Sequence, residues 1–231
     1  VQGDRFAEEV IKEIVSRTGA WLILGAPSYV KAGGEQRVFN SVYLYNPQGI
    51  KVGEYEKNRL MPLVEWPVGD YYLAKNLETP SYTAGSLAHP IKMTNDPFEI
   101  SVGTSIFHEV GIDSLINQIV RKQSNLLVNL SNDSWFGQST QSLQLLDLLI
   151  LRSAEYGIPA IRGSGYGAAA IIDHKARVIG RIDVGKSGVL RQKLTIRPFQ
   201  RTIWERFHNW AVVPPAAVLL LWVLVWMVRS R

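Results

Sequence analysis

A short polar turn at the end of an apolar strand is the first place in this sequence that could support chemistry. The stretch GTSIFHEV, Gly103–Val110, carries a hydroxyl on Ser105, an imidazole on His108 and a carboxylate on Glu109. Nucleophilic catalysis by serine requires its hydroxyl and a neighbouring group that accepts the proton. A serine hydroxyl reacts poorly unless such a base activates it. Either this turn holds a nucleophile or it is only the end of a strand.

Two further charged residues, Lys57 and Glu65, flank a proline in YEKNRLMPLVEW. Lys57 could activate Ser105 only if burial lowered its pKa strongly. His108 is the other candidate base, although a histidine beside a strand end is more often a surface or hydrogen-bonded residue.

The elements around the polar turn alternate between strand and helix. The pattern predicts a strand over Phe98–Thr104, a helix over Ile112–Lys122, a strand over Asn125–Leu130 and a helix over Gln141–Tyr156. Paired strands with a hairpin at DHKAR follow. Such alternation followed by hairpins indicates a mixed α/β sandwich.

The amino-terminal part predicts a helix, a buried strand WLILGAPS and a hairpin that turns at Asn-Pro-Gln-Gly. The stretch Lys57–Pro97 is rich in proline and glycine and predicts a long loop. The last predicted strands are VIGRID and GVLRQKLTI, Gly188–Ile196.

Composition excludes several classes of function. The net charge of +5 is modest, and the basic residues form no stripe of the kind that nucleic-acid binding requires, so no nucleic-acid partner is predicted. There are no cysteines, which excludes disulfides, thiolate metal sites and a cysteine nucleophile. With four histidines and no cysteines we predict no metal site, and nothing indicates a cofactor.

The carboxy-terminal segment Trp210–Val228 contains 19 residues without a charge. As a helix it would extend about 28 Å, close to the thickness of a bilayer core. Arg229 and Arg231 follow it, and the positive-inside tendency places them in the cytoplasm and the preceding domain in the periplasm. Arg201 and Arg206, on the other side of the segment, weaken that orientation.

Three stretches resemble the carbon–nitrogen hydrolase (nitrilase) superfamily, and within it the apolipoprotein N-acyltransferases. They are YEKNRLMPLVEW, LVNLSNDSWFGQST and RSAEYGIPAIRGSGYGAAAIID. That branch typically shows Y-x-K-x-x-L-V-P-F-G-E, then I-C-Y-E, N-D-A-W-F-G and R-A-x-E. The resemblance covers about Arg5 to Ile196 and includes the final apolar segment.

The resemblance implies acyl transfer through a cysteine thiolate, a glutamate base and a lysine that stabilises the oxyanion. Lys57 matches the lysine, and Glu65 matches a further glutamate of the active site. The family's I-C-Y-E lies best on residues 106–109, which puts Phe107 on the cysteine and Glu109 on the following glutamate. The general-base glutamate has no counterpart, because the chain begins after the segment that should carry it. Because Phe107 stands in place of the thiol, we expect Lys57 to have a structural role, as an ion-pair partner of Glu65 or Glu109.

The resemblance also implies the architecture, a four-layer α/β/β/α sandwich plus one transmembrane helix. We expect residues 1–200 to form the nitrilase-like domain without its first strand, and residues 201–231 to form a linker and a membrane anchor.

Two functional hypotheses follow. The first is a non-catalytic, membrane-anchored accessory or structural subunit, with membrane lipid and a larger membrane-protein complex as partners. The second is a divergent N-acyltransferase or amidohydrolase that uses Ser105, or a fragment whose missing part supplies the base.

Overall fold

A computed structural model supplies the three-dimensional description of the chain. It describes residues 5–32, 35–68, 81–86, 88–95, 98–137 and 139–207, together with residues 218, 219, 222, 226 and 227.

The first sheet is an antiparallel meander that follows the helix α1 (Arg5–Thr18). Its strands β1 (Leu22–Ala32), β2 (Glu35–Tyr45) and β3 (Lys51–Glu56) are hydrogen-bonded in that order. The predicted turn between β2 and β3 is present, because the Oδ1 atom of Asn46 accepts hydrogen bonds from the backbone N–H groups of Gln48 and Ile50. An asparagine side chain that bonds the backbone in this way stabilises a tight turn.

The second sheet has six strands that are hydrogen-bonded in chain order. They are β4 (Ile91–Asn95), β5 (Phe98–Ile106), β6 (Leu126–Ser131), β7 (Ala160–Ser164), β8 (Ala169–Ile172) and β9 (Val178–Ile182). The strands β5, β6 and β7 run parallel, and the other neighbouring pairs are antiparallel. Parallel neighbours need a crossover, which α2 (Asp113–Val120) and α3 (Gln141–Tyr156) provide.

The two sheets face each other and the helices cover their outer faces. Along β2 the side chains alternate, as the pleat of a strand requires. Val42 and Leu44 pack in a cluster with Ile106 of the second sheet, whereas Tyr43 and Tyr45 pack against α1. On the far side, α2 and α3 bury a large apolar cluster against β6, β7 and β8. The layers are therefore ordered α/β/β/α, which is the order that the resemblance implies.

The sequence pattern predicted most elements to within a few residues but failed in three places. The strand β4 lies inside the predicted long loop. It was missed because its last two residues begin a Thr-Asn-Asp-Pro sequence that is typical of turns. The predicted strand Gly188–Ile196 is wrong, because this segment belongs to neither sheet. Its apolar alternation comes from packing of Leu194 and Ile196 against the inner face of the second sheet. The short helix α4 (Ile203–Phe207) was not predicted.

The predicted membrane span lies almost entirely outside the described residues. No helix in the part of the chain that the structure describes is both long and apolar enough to cross a bilayer. The anchor, its orientation, the division at residue 200 and the absence of a first strand all stay predictions.

Two leucines on α3 allow a test of the packing between the helices and the second sheet. Leu149 is buried at 1% exposure, and Leu151 is 47% exposed. We expect Leu149→Ala to lower the free energy of unfolding by about 2–5 kcal/mol, because it opens a cavity in the core. The control Leu151→Ala should change it by about 0.5 kcal/mol or less. Equal effects in urea titrations of the two variants would contradict this packing.

Candidate active site

A cavity of about 700 Å³ lies between the two sheets and contains three of the predicted site residues. Lys57, Glu65 and Phe107 line it, whereas Ser105 and Glu109 do not. The remaining lining is mainly apolar and comes from β1, β2, β6 and the loop that follows β6. Ligand-binding sites are usually concave pockets with a mainly apolar lining and a few polar groups that point toward the ligand.

Lys57 lies immediately after β3, and its side chain is buried at 1% exposure. Its backbone is held on both sides, because its N–H donates to the carbonyl of Asn40 and its carbonyl accepts from the N–H of Gly85. The Nζ atom lies 2.6 Å from Oε2 of Glu65. The predicted ion pair therefore forms with Glu65 rather than with Glu109.

Glu65 is fixed by three donors that converge on its carboxylate. Besides Lys57, the backbone N–H of Met61 donates to Oε2 at 2.7 Å and the side-chain amide of Asn40 donates to Oε1 at 3.1 Å. Burial lowers the pKa of Lys57 below its ordinary value, and the nearby carboxylate of Glu65 opposes that shift. Glu65 thus holds the ammonium group of Lys57 in a fixed position at the wall of the cavity.

Glu109 is fully buried and does not line the cavity. Its two carboxylate oxygens accept hydrogen bonds from the Tyr55 hydroxyl and from the backbone N–H groups of Asn58, Arg59 and Ile106, at 2.7–3.0 Å. Burial raises the pKa of Glu109, and the hydrogen bonds that it accepts oppose this. Glu109 therefore ties the end of β5 to the segment that carries Lys57.

Phe107 lies at the first position of the turn after β5, with a backbone φ of +55°. This left-handed conformation costs a residue with a Cβ roughly 1–2 kcal/mol. Its ring stacks on Phe136, with centroids 5.5 Å apart and planes inclined by 17°. The same ring lies 5.2 Å from Nζ of Lys57, within the range of a cation–π contact. The strained turn thus directs the phenyl group over the buried cation.

Ser105 does not reach this arrangement. It is buried on β5, and its Oγ lies 3.0 Å from the amide nitrogen of Asn129, which also donates to the carbonyl of Phe107. None of the hydrogen bonds that the structure describes for Ser105 involves a lysine, a histidine or a carboxylate. Neither of the predicted bases is therefore in position to activate it.

His108 packs edge-on against the Phe107 ring. Burial lowers the pKa of His108 to about 4, and the positive charge of Lys57 adds to the effect. Its Nδ1 atom has no hydrogen-bond partner among the described residues. A neutral imidazole without an orienting partner lacks the arrangement that an activated nucleophile–base pair requires.

A buried polar network behind the turn was not predicted as a unit. Arg162 donates to Oδ2 of Asp133 at 2.6 Å, to Oδ1 of Asn129 and to the carbonyl of Ala168. Asp133 also accepts from Ser142 at 2.6 Å. The sequence signal was a charged residue, Arg162, inside an otherwise apolar strand, whereas Asp133 lies in a polar loop and Asn129 looked like an ordinary strand residue.

The Asn132–Gly137 loop is held by this network and supplies Phe136 to the stack on Phe107. Phe136 packs on the ring of Phe107, whereas Trp135 is 53% exposed at the rim of the cavity. Arg152 on α3 pairs with Glu155 and also with Asp113 at 2.7 Å.

The Lys57–Glu65 pair allows a test of how the site is held together. We expect Glu65→Gln to lower the free energy of unfolding by about 3–5 kcal/mol, because it leaves the ammonium buried without its counter-charge. The double variant Lys57→Met/Glu65→Leu should recover most of that loss, because no charge is then buried.

The matched control for this test is Glu99→Gln, which removes one partner of the exposed Lys92–Glu99 pair. Its effect should be at most about 1 kcal/mol. A double variant as unstable as Glu65→Gln would show that the pair is not the coupled unit that the geometry indicates.

Known proteins resemble this chain in sequence and in structure. The model of the carbon–nitrogen hydrolase family matches residues 7–201. An apolipoprotein N-acyltransferase from Geobacter metallireducens is 26% identical over 213 residues, an alignment that covers 90% of this chain and 40% of the relative. The chain thus spans about two-fifths of the length of that curated relative.

Solved structures share the fold. Saccharomyces cerevisiae Nit3, a member of the nitrilase superfamily, superposes with a TM-score of 0.59 at 13% identity, covering 79% of this chain and 62% of Nit3. An amidase variant from Nesterenkonia sp. AN1, in which acrylamide has added to the active-site cysteine, gives a TM-score of 0.54 at 15% identity, covering 78% of this chain and 65% of the amidase. These similarities and the family match over most of its length show that this chain belongs to the carbon–nitrogen hydrolase family.

Proposed function

We propose that this protein is a non-catalytic, membrane-anchored member of its family that serves as an accessory or structural subunit of a larger membrane complex. The observation that carries the proposal is the position of Phe107. The resemblance places the family's cysteine at this residue, and the phenyl ring lies over the ammonium group of Lys57 and against Phe136.

The chemistry of acyl transfer supports this proposal. The reaction needs a nucleophile that attacks the carbonyl, a base that takes its proton and a donor that stabilises the oxyanion. A phenyl ring cannot form the acyl intermediate, and this chain contains no cysteine. Removal of the nucleophile in enzymes of this general type typically costs a factor of about 10⁴–10⁶ in rate. The related amidase, in contrast, carries a cysteine that reacts with acrylamide.

The charged residues that remain at the site have structural roles that do not require catalysis. Glu65 neutralises the buried Lys57, and Glu109 joins two segments through four hydrogen bonds. Replacing one partner of such a buried group costs several kcal/mol. Their presence is therefore compatible with an inactive site.

The alternative, an N-acyltransferase or amidohydrolase that uses Ser105, gains no support from the geometry. The Ser105 hydroxyl is hydrogen-bonded to Asn129 and does not line the cavity. Lys57, the base that the hypothesis needs, pairs with Glu65.

The membrane location rests on the apolar segment Trp210–Val228 and on the relatives, which are apolipoprotein N-acyltransferases. In this proposal the domain lies in the periplasm and the carboxy terminus in the cytoplasm. A domain that is attached to a membrane can bind other membrane proteins through its surface even when it has no catalytic activity. We therefore favour a role in a complex of membrane proteins.

The first test is a search for a covalent intermediate. We expect no mass increase when the purified chain is incubated with a 4-nitrophenyl acyl ester or with phospholipid, and no change in Ser105→Ala. We expect Phe107→Cys to be alkylated by acrylamide about tenfold faster than the exposed control Ser187→Cys at pH 7, because a neighbouring ammonium favours the thiolate. An acyl adduct on Ser105 in the unmodified protein would overturn the proposal.

The second test addresses the anchor and the complex. Deleting Trp210–Arg231 should move the domain to the soluble fraction after a salt wash while its melting temperature is retained, because the described core ends before this segment. Affinity purification of the full chain from mildly solubilised membranes should recover stable partners, in equal yield from Ser105→Ala. A truncated chain that stays in the membrane fraction, or a full chain that purifies alone, would argue against this role.

A further inference from the structure

The segment before the apolar stretch carries a concentrated basic surface. Five basic side chains are exposed between residues 191 and 206, and we call them the basic surface: Arg191, Lys193, Arg197, Arg201 and Arg206. The one acidic residue between positions 184 and 207 is Glu205, which is buried. The exposed charge of this segment is therefore uniformly positive.

The packing of the chain explains why these side chains face outward. Burial alternates along residues 193–197, where exposed and half-buried side chains follow one another, and Arg191 is also exposed. Leu194 and Ile196 pack against the second sheet, which leaves the basic residues on the opposite side. None of these three has an ion-pair partner within the part of the chain that the structure describes.

A buried carboxylate attaches the end of this surface to the domain. Glu205 of α4 pairs with Arg121 at the end of α2 at 3.0 Å and with Arg201 at 3.6 Å. The Thr202 hydroxyl accepts from the Glu205 N–H and donates to the carbonyl of Glu155, at the end of α3. The helix α4 is thus held in one position against α2 and α3.

This attachment leaves two large apolar side chains in solvent. Ile203 is 81% exposed and Phe207 is 57% exposed. Residues four apart lie on the same face of a helix. The apolar segment Trp210–Val228 begins three residues after Phe207. Basic side chains therefore border an exposed apolar pair next to the most apolar part of the sequence.

We propose that the basic surface binds the headgroups of anionic phospholipids, with Ile203 and Phe207 at the level of the headgroup boundary. Clusters of four to eight basic residues on the cytoplasmic side of a membrane segment bind anionic lipid, and each charge adds to the affinity. The same Coulomb attraction acts on a basic cluster at the other leaflet wherever that leaflet carries anionic headgroups. An acidic protein would satisfy the charges but would not account for the two exposed apolar side chains. The inference rests on the proposed membrane location and adds a headgroup-selective contact to it.

The experiment measures lipid selectivity of the full chain in nonionic detergent, so that it does not depend on insertion of the anchor. The chain is titrated with dioleoyl phosphatidylglycerol or dioleoyl phosphatidylcholine, and bound lipid is counted by native mass spectrometry. We expect half-saturation with phosphatidylglycerol at about a tenfold lower lipid concentration than with phosphatidylcholine.

Two matched variants identify the surface responsible. Arg191→Gln/Lys193→Gln/Arg197→Gln should abolish the preference for phosphatidylglycerol, whereas Lys12→Gln/Lys31→Gln/Arg37→Gln removes three exposed charges elsewhere and should retain it. Equal binding of the two lipids by the unmodified chain would overturn the inference, as would a preference that the first variant keeps or the control loses. If the full chain is absent from the membrane fraction but still prefers phosphatidylglycerol, the result would contradict the proposed anchor and leave the lipid-binding surface supported.

Discussion

The geometry of the candidate site depends on the buried carboxylate of Glu109. Its hydrogen bonds join two parts of the chain that are distant in sequence: the segment from Tyr55 on β3 to the backbone of Asn58 and Arg59, and the end of β5 at Ile106. A buried carboxylate without these donors would cost several kcal/mol, so the donors and the acceptor hold one another in place. The first sheet is thereby attached to the second at the point where the cavity forms, and Lys57 is brought next to the turn that begins at Phe107.

A second buried group supports the opposite side of the turn. The Arg162–Asp133 pair positions Asn129, which holds the backbone of Phe107, and fixes the loop that supplies Phe136. The two networks meet at one strained backbone position, where φ is +55°. Backbone strain of this kind persists only where the surroundings over-determine it. The two networks can therefore maintain the conformation of the turn at Phe107 although a phenyl side chain cannot act as a nucleophile.

Under the proposed non-catalytic role, these contacts explain why the fold does not depend on the reaction. The polar groups that surround the cavity are also the groups that connect the sheets, so their loss would destabilise the domain whether or not a substrate is bound. Phe107, in contrast, adds a stacked ring and a cation–π contact to the same place. Selection for stability and attachment alone would preserve Lys57 and Glu109 but would place no demand for a thiol at position 107.

The sequence by itself determined the α/β class, most element boundaries, the family and the absence of a thiol, because these follow from hydrophobic periodicity, motifs and composition. It also limited the partner of Lys57 to two glutamates. Only the tertiary structure decided that the partner is Glu65, that Ser105 belongs to the network of Asn129, and that α4 is held by a buried carboxylate. The Thr-x-x-Glu signal of α4 was present at Thr202, but a local pattern does not show whether a carboxylate is buried. Each of these outcomes depends on contacts between residues far apart in the chain, which local spacing does not encode.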